Sequence, residues 1–211
     1  MNITIIFFLG LVIALVGVIP PGLLNMTAAK ISLKEGHSRG IIFSIGVCVI
    51  VVAQTYIASI FARYLSKHTE VIDVLQRVAL VIFILITVYF LFIAKSNPKQ
   101  QIAPKIRSKH SRFFQGMFLS SINVFPIPYQ AYMTVTLASF GWLSFEQISI
   151  LSYVAGAASG TFVMLYMYIF FFDKIKSESF TSQKNMNYII GGITGIISII
   201  TLINILKEMY Q

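Results

Sequence analysis

Two proline-interrupted stretches hold the residues best placed to do chemistry. In the first, Pro20-Pro21-Gly22 breaks an apolar run, and Asn25 and Thr27 follow it. In the second, Pro126 and Pro128 flank Ile127, with Asn123 before them and Gln130 and Thr134 after. A proline inside a helix deletes a backbone hydrogen bond and clashes with the preceding turn, at about 3 kcal/mol. Such a break bares carbonyls on one side and amides on the other. A helix restarting near Gly22 directs its amides and the positive end of its dipole into the break, and one restarting near Pro128 does so from the opposite direction. Those ends suit a carboxylate. The bared carbonyls suit an ammonium group, and a zwitterion carries both. The candidate binding set is therefore Pro20, Pro21, Gly22, Asn25, Asn123, Pro126, Pro128 and Gln130, with Asn25, Asn123 and Gln130 as orienting groups. A metal cation or another small anion could use the same elements, and interhelical hydrogen bonding could occupy the three amides.

The elements that must position this set are apolar helices. The 211-residue chain is 57% hydrophobic and 11% charged, against about 25% charged for soluble domains. Six segments, near 3–33, 39–62, 72–94, 113–140, 146–172 and 187–206, are long enough to span a bilayer, which takes roughly 20 residues each. The short loops leave no room for a soluble catalytic or nucleic-acid-binding domain.

The chain also repeats itself. Residues 7–28 align with 113–134 at an offset of 106, with Phe7/Phe113, Phe8/Phe114, Gly10/Gly116, Val18/Val124 and Pro20/Pro126 identical. Each half then holds three spans. Two copies of an odd-spanning unit enter the membrane from opposite sides. The expected fold is all-α and integral to the membrane: six transmembrane helices as a 3+3 inverted repeat, with helices 1 and 4 broken by prolines. The halves are 1–106 and 107–211, joined by a basic linker at 95–112, within one membrane domain. Beyond the first and fourth segments the pairing rests on order alone.

The net charge of +9 follows a membrane pattern rather than a nucleic-acid one. Twelve Lys and Arg fall in the loops after segments one, three and five, among them Lys30, Arg39, Lys109 and Arg112, against four on the opposite side, Arg63, Lys67, Arg77 and Lys207. By the positive-inside rule both termini lie outside the cytoplasm. Residues 1–30 lack the charged start of a signal peptide, and the repeat argues for their retention.

Other polar residues read as structural or juxtamembrane. Gln54, Thr55 and Tyr56 form a polar island in the second segment, suited equally to a structural or a functional role, and Cys48, the single cysteine, reads as a small core residue. No Asp or Glu is expected deep in a span: Asp73, Glu146 and Asp173 fall near helix ends, and Glu35, Glu70, Glu178 and Glu208 in loops or at a terminus. His37, His68 and His110 are read as juxtamembrane. With no carboxylate or imidazole cluster, no metal site or cofactor is expected. No nucleophile–base set or nucleotide loop points to an enzyme. Gly36/Gly40, Gly156/Gly160 and Gly191/Gly195 are small-residue pairs suited to close helix contact, and a homodimer through such a seam is left open. Tyr64, Tyr89, Trp142, Tyr188 and Tyr210 suit the membrane interface.

Ile19-Pro20-Pro21-Gly22-Leu23-Leu24-Asn25-Met26, followed by Gly36-His37-Ser38-Arg39-Gly40, resembles the start of the lysine-exporter (LysE/RhtB) family. That family usually has Pro-Gly-Pro here and an Asn-Pro segment in its fourth helix, of which Asn123-Val124-Phe125-Pro126 is a looser form. The resemblance implies a secondary transporter exporting amino acids across the bacterial cytoplasmic membrane by alternating access. The absence of a cavity carboxylate leans the expected substrate toward a neutral amino acid or related metabolite. The competing readings are a cation or metal transporter of the wider superfamily and a non-transporting membrane scaffold.

Overall fold

Asn2 opens the first helix: its side chain accepts from the Thr4 amide at 3.0 Å, and α1 runs Ile3–Val18. The chain then breaks, and α2 runs Leu23–Glu35 at 80° to α1. Gly36, at φ +92°, ends α2, a conformation that glycine adopts without a Cβ penalty. α3 follows as one rod, His37–Leu65. α4 covers Thr69–Val88 and ends in a π-helical turn, Tyr89–Ile93. α5, capped by Ser108, covers Lys109–Ile122. A second break separates it from α6, Pro126–Ser139, which closes on Gly141 at φ +72°. α7 is Gln147–Ile175. The computed structural model describes residues 2–19, 22–94, 108–175 and twelve helical positions within 188–206. Every element among the described residues is a helix or a turn between helices.

α3 and residues 147–171 of α7 are long and apolar enough to cross a membrane, and α1 with α2 would make a third span if the bent pair is one. At 1.5 Å per residue the 29-residue α3 is roughly 43 Å long, more than the ~30 Å of hydrocarbon it would cross. Apolar stripes face outward: Phe8, Val12 and Val16 on α1, and Phe114, Phe118 and Ile122 on α5, are each more than half exposed. Surfaces this apolar belong in lipid or against a partner rather than in water, so the fold is that of a membrane protein.

The chain forms two compact units, Met1–Ser66 with Pro104–Ile175, and Lys67–Ala103 with Lys176–Gln211. They cut across the sequence halves. The first holds α1, α2, α3, α5, α6 and α7. In the second, a Cβ on Gly191 would meet Leu91 and one on Gly195 would meet Thr87.

Within the first unit, one backbone contact occurs twice. A Cβ on Gly10 of α1 would run into the Tyr153 carbonyl and the Ala157 amide of α7, and one on Gly156 into the Phe7 carbonyl. Likewise a Cβ on Gly116 of α5 would run into the Phe43 carbonyl and the Val47 amide of α3, and one on Gly46 into the Phe113 carbonyl. Gly10 and Gly116, with Phe7 and Phe113, stand 106 apart; Gly46 and Gly156, with Phe43 and Tyr153, stand 110 apart. The same 110 carries the ends of α3, His37 and Leu65, onto those of α7, Gln147 and Ile175. The buried stripes match as well: Ile6, Gly10 and Ala14 in α1; Arg112, Gly116 and Ser120 in α5. Close approach of backbones at glycine is how apolar helices gain packing without a hydrophobic driving force between them.

Two sequence expectations, on Gly36/Gly40 and Glu35, are corrected. Gly36 and Gly40 do not share a helix face, because Gly36 lies between α2 and α3 with positive φ; Gly40 alone packs, against Ser32 and the Ala28 carbonyl. Glu35 is not a loop residue but the last residue of α2, its side chain 2% exposed and paired with Arg112. His37, though exposed, is engaged: its Nδ1 lies 2.7 Å from Ser32 Oγ and its ring stacks on Phe170.

Candidate functional site

Two carbonyls at the first break are held by side chains. Asn25, buried in the first turns of α2, donates from Nδ2 to the Val18 carbonyl at 2.7 Å. The Tyr168 hydroxyl of α7 donates to the Ile19 carbonyl at 2.7 Å. A helix ending inside an apolar medium leaves carbonyls that water cannot reach, and these two side chains supply the missing donors. Asn25 therefore caps α1 across the break. Gly22 is the N-cap of α2, with no side-chain cap on the first-turn amides there. Pro20 and Pro21 lie outside the described residues.

The second break is closed from α3. Gln54 Nε2 donates to the Ser120 carbonyl at 3.1 Å and to the Asn123 carbonyl at 3.0 Å. Gln54 of the polar island is thus the clamp on the end of α5. Asn123 is the C-cap of α5, half-buried, and its side chain makes no hydrogen bond with the described residues. α6 starts at Pro126, not near Pro128, and it offers no open amides. Pro126 and Pro128 have none, the Ile127 amide donates to the Val124 carbonyl, and the Tyr129 amide to the Phe125 carbonyl. The first four positions of α6 thus carry no amide without a backbone partner. The first turn of α2 has no side-chain cap among the described residues.

Gln130 is buried, and its Oε1 accepts from the Tyr153 hydroxyl at 2.6 Å. Through that oxygen it links α6 to α7. Thr27 and Thr134 bond back to the carbonyls four residues earlier, Leu23 and Gln130, which removes them from the candidate donors. The two breaks meet through Tyr129 of α6, whose hydroxyl donates to the Ile13 carbonyl of α1 at 2.9 Å and whose ring packs against Gly17. Leu24, beyond the first break, and Leu119, before the second, pack on one cluster built from Phe43, Val47, Val51 and Leu165.

Sequence reasoning did not single out Tyr153 and Tyr168 on α7, the two hydroxyls that serve the breaks. A tyrosine inside a long apolar helix was the available signal, since a buried hydroxyl needs a partner.

Three buried side-chain atoms among the described residues lack a partner: Gln54 Oε1, Thr55 Oγ1 and Ser120 Oγ. All three belong to α3 and α5 beside the second break. Among the described residues no three His, Cys, Asp or Glu side chains are grouped to hold a metal ion. The site is therefore a neutral, hydrogen-bonding one, built from amides, hydroxyls and helix ends. Comparison of the chain with protein-family models, with curated proteins and with solved structures returned no match.

Proposed function

We propose that this chain is a secondary transporter of amino acids, of the neutral kind or related small metabolites, working by alternating access across the bacterial cytoplasmic membrane. The carrying observation is the doubled backbone contact: α1 on α7 and α5 on α3, joined by the same glycines at fixed offsets of 106 and 110. Reciprocal contacts of this kind are what a two-fold relation between two copies produces. They support a 3+3 inverted repeat of six spans, in which α1–α2 and α5–α6 are the proline-broken first and fourth helices. Transport folds of this plan place their solute where the broken helices of the two halves meet. The resemblance to the LysE/RhtB exporters agrees with that plan and is the ground for export as the direction.

The site chemistry supports a neutral solute. The groups at the breaks are amides, hydroxyls and the uncapped start of α2. The buried carboxylate of Glu35 is consumed by Arg112, so no carboxylate described at the breaks is left over for a cationic side chain.

The test is counterflow in proteoliposomes with a panel of labelled amino acids, comparing the wild type with Asn123→Ala. Exchange of one class of amino acid, reduced in the variant, is expected. Well-folded protein that exchanges none of them refutes the amino-acid transporter reading and leaves a cation or metal transporter, then a membrane scaffold.

A further inference from the structure

Three unpartnered oxygens lie on α3 and α5, on residues beside the second break. Gln54 is 5% exposed, and Thr55 and Ser120 are fully buried. The orientation of the Gln54 carboxamide follows from its contacts. Its nitrogen faces two carbonyl oxygens, of Ser120 and Asn123, so the end turned away is the oxygen, which can only accept. Thr55 is the next residue on α3, and Ser120 supplies one of the two carbonyls that the same carboxamide holds. Asn123, touched by that carboxamide, is half-exposed, so the set lies one residue from an accessible position.

Packing does not demand these oxygens. The matching contact, α1 on α7, carries Ala14 where α5 has Ser120, and Met164 and Leu165 where α3 has Gln54 and Thr55. Ala14 and Leu165 are as buried as their polar counterparts. The fold thus accepts apolar residues at the equivalent places. Buried polar atoms without partners are rare in native proteins and call for an explanation such as an unseen ligand.

We propose that Gln54 Oε1, Thr55 Oγ1 and Ser120 Oγ receive a primary ammonium group, that of the transported solute. This rests on the transporter reading and deepens it. An ammonium has three N–H donors, and the set offers three oxygens. A hard metal ion asks for six or more and favours carboxylates among them. Four of the carbonyls at the breaks, those of Val18, Ile19, Ser120 and Asn123, are already taken by Asn25, Tyr168 and Gln54. The ammonium site is therefore made of side-chain oxygens, at the second break alone.

The test uses purified full-length protein in detergent and follows thermal unfolding with methylammonium, tetramethylammonium or sodium chloride at equal ionic strength. Methylammonium is expected to raise the melting temperature of the wild type. Tetramethylammonium, which has no N–H, and sodium are not. Ser120→Ala and Thr55→Val remove unpartnered hydroxyls, so each is expected to melt at or above the wild-type temperature without ligand and to lose about half or more of the methylammonium shift. No shift in the wild type, an equal shift with tetramethylammonium or sodium, or a full shift in both variants overturns the proposal and leaves the set to water. Amino-acid counterflow by the same preparation separates the two readings. Counterflow without a methylammonium effect sinks only the ammonium site, and a specific methylammonium effect without counterflow sinks only the transport reading.

Discussion

The Glu35 carboxylate and the Arg112 guanidinium form a buried ion pair that ties the end of α2 to the first turns of α5. Arg112 Nε donates to Glu35 Oε2 at 2.9 Å, Nη2 to Oε1, and Nη1 to Gln115 Oε1. Each charge sits at the less favourable end of its helix dipole, an anion at a C-terminus and a cation near an N-terminus. Each therefore depends on the other. Position 6, which matches Arg112 in α1, is isoleucine, so this tie exists on one side of the repeat only.

Glu35→Gln or Arg112→Gln should each destabilise the protein by about 3 kcal/mol, since one charge is left buried without its partner. The double replacement Glu35→Leu with Arg112→Met should recover most of the loss. Thermal unfolding of the three variants in detergent checks this. Additive loss in the double variant would show that the pair is not coupled.

The glycine contacts predict a matched set of costs. Gly10→Ala and Gly116→Ala each push a methyl group into backbone of the facing helix, Tyr153 and Phe43 respectively. Each should cost roughly 1–3 kcal/mol and lower the yield of folded protein. Gly192→Ala meets nothing within 4 Å and should be neutral or slightly stabilising in a helix. Chromatographic homogeneity and melting temperature report all three.

Tyr168→Phe strips the donor from the Ile19 carbonyl at the first break. An orphaned carbonyl away from water costs about 1–3 kcal/mol, and the loss should fall on the α1–α2 junction. Hydrogen exchange of the α2 amides should accelerate in this variant, while that of α5 should not. Acceleration spread evenly over both would deny the Tyr168 hydroxyl its local role.

The membrane orientation gives a prediction that needs no substrate. In a Cys48→Ala background, His110→Cys and Trp142→Cys place single thiols at two exposed positions. If α5 and α6 make one broken span, an impermeant thiol reagent should label the first from the cytoplasmic side and the second from the other. Labelling of both from one side would mean that α5 and α6 form a re-entrant pair.

The first and fourth segments were legible because their repeat survives as identity: Phe7/Phe113, Gly10/Gly116 and Pro20/Pro126. Among the described residues α1 ends at Val18 and α2 begins at Leu23, and α5 ends at Ile122 and α6 begins at Pro126. The register of α3 with α7 was not legible. At an offset of 110 only Gly46/Gly156, Tyr56/Tyr166 and Phe61/Phe171 are identical over the 29 residues of each helix. Many apolar side chains can fill such a contact. The backbone approach at Gly46 and Gly156 is what sets the register, and that approach appears only once both helices are placed.

The candidate site divided in the same way. That the breaks would carry polar side chains was a local property, because proline and asparagine act on the backbone beside them. Which polar group serves which carbonyl was decided by residues far away in sequence: Gln54 for Ser120 and Asn123, Tyr168 for Ile19, Tyr153 for Gln130. So the chain by itself determined an all-helical protein with two or three helices long and apolar enough for a membrane, since hydropathy is written residue by residue. Tertiary structure alone decided which acceptors stay open and that Glu35 is buried against Arg112, because hydrogen bonds in an apolar interior are allotted by what the packed helices bring within reach.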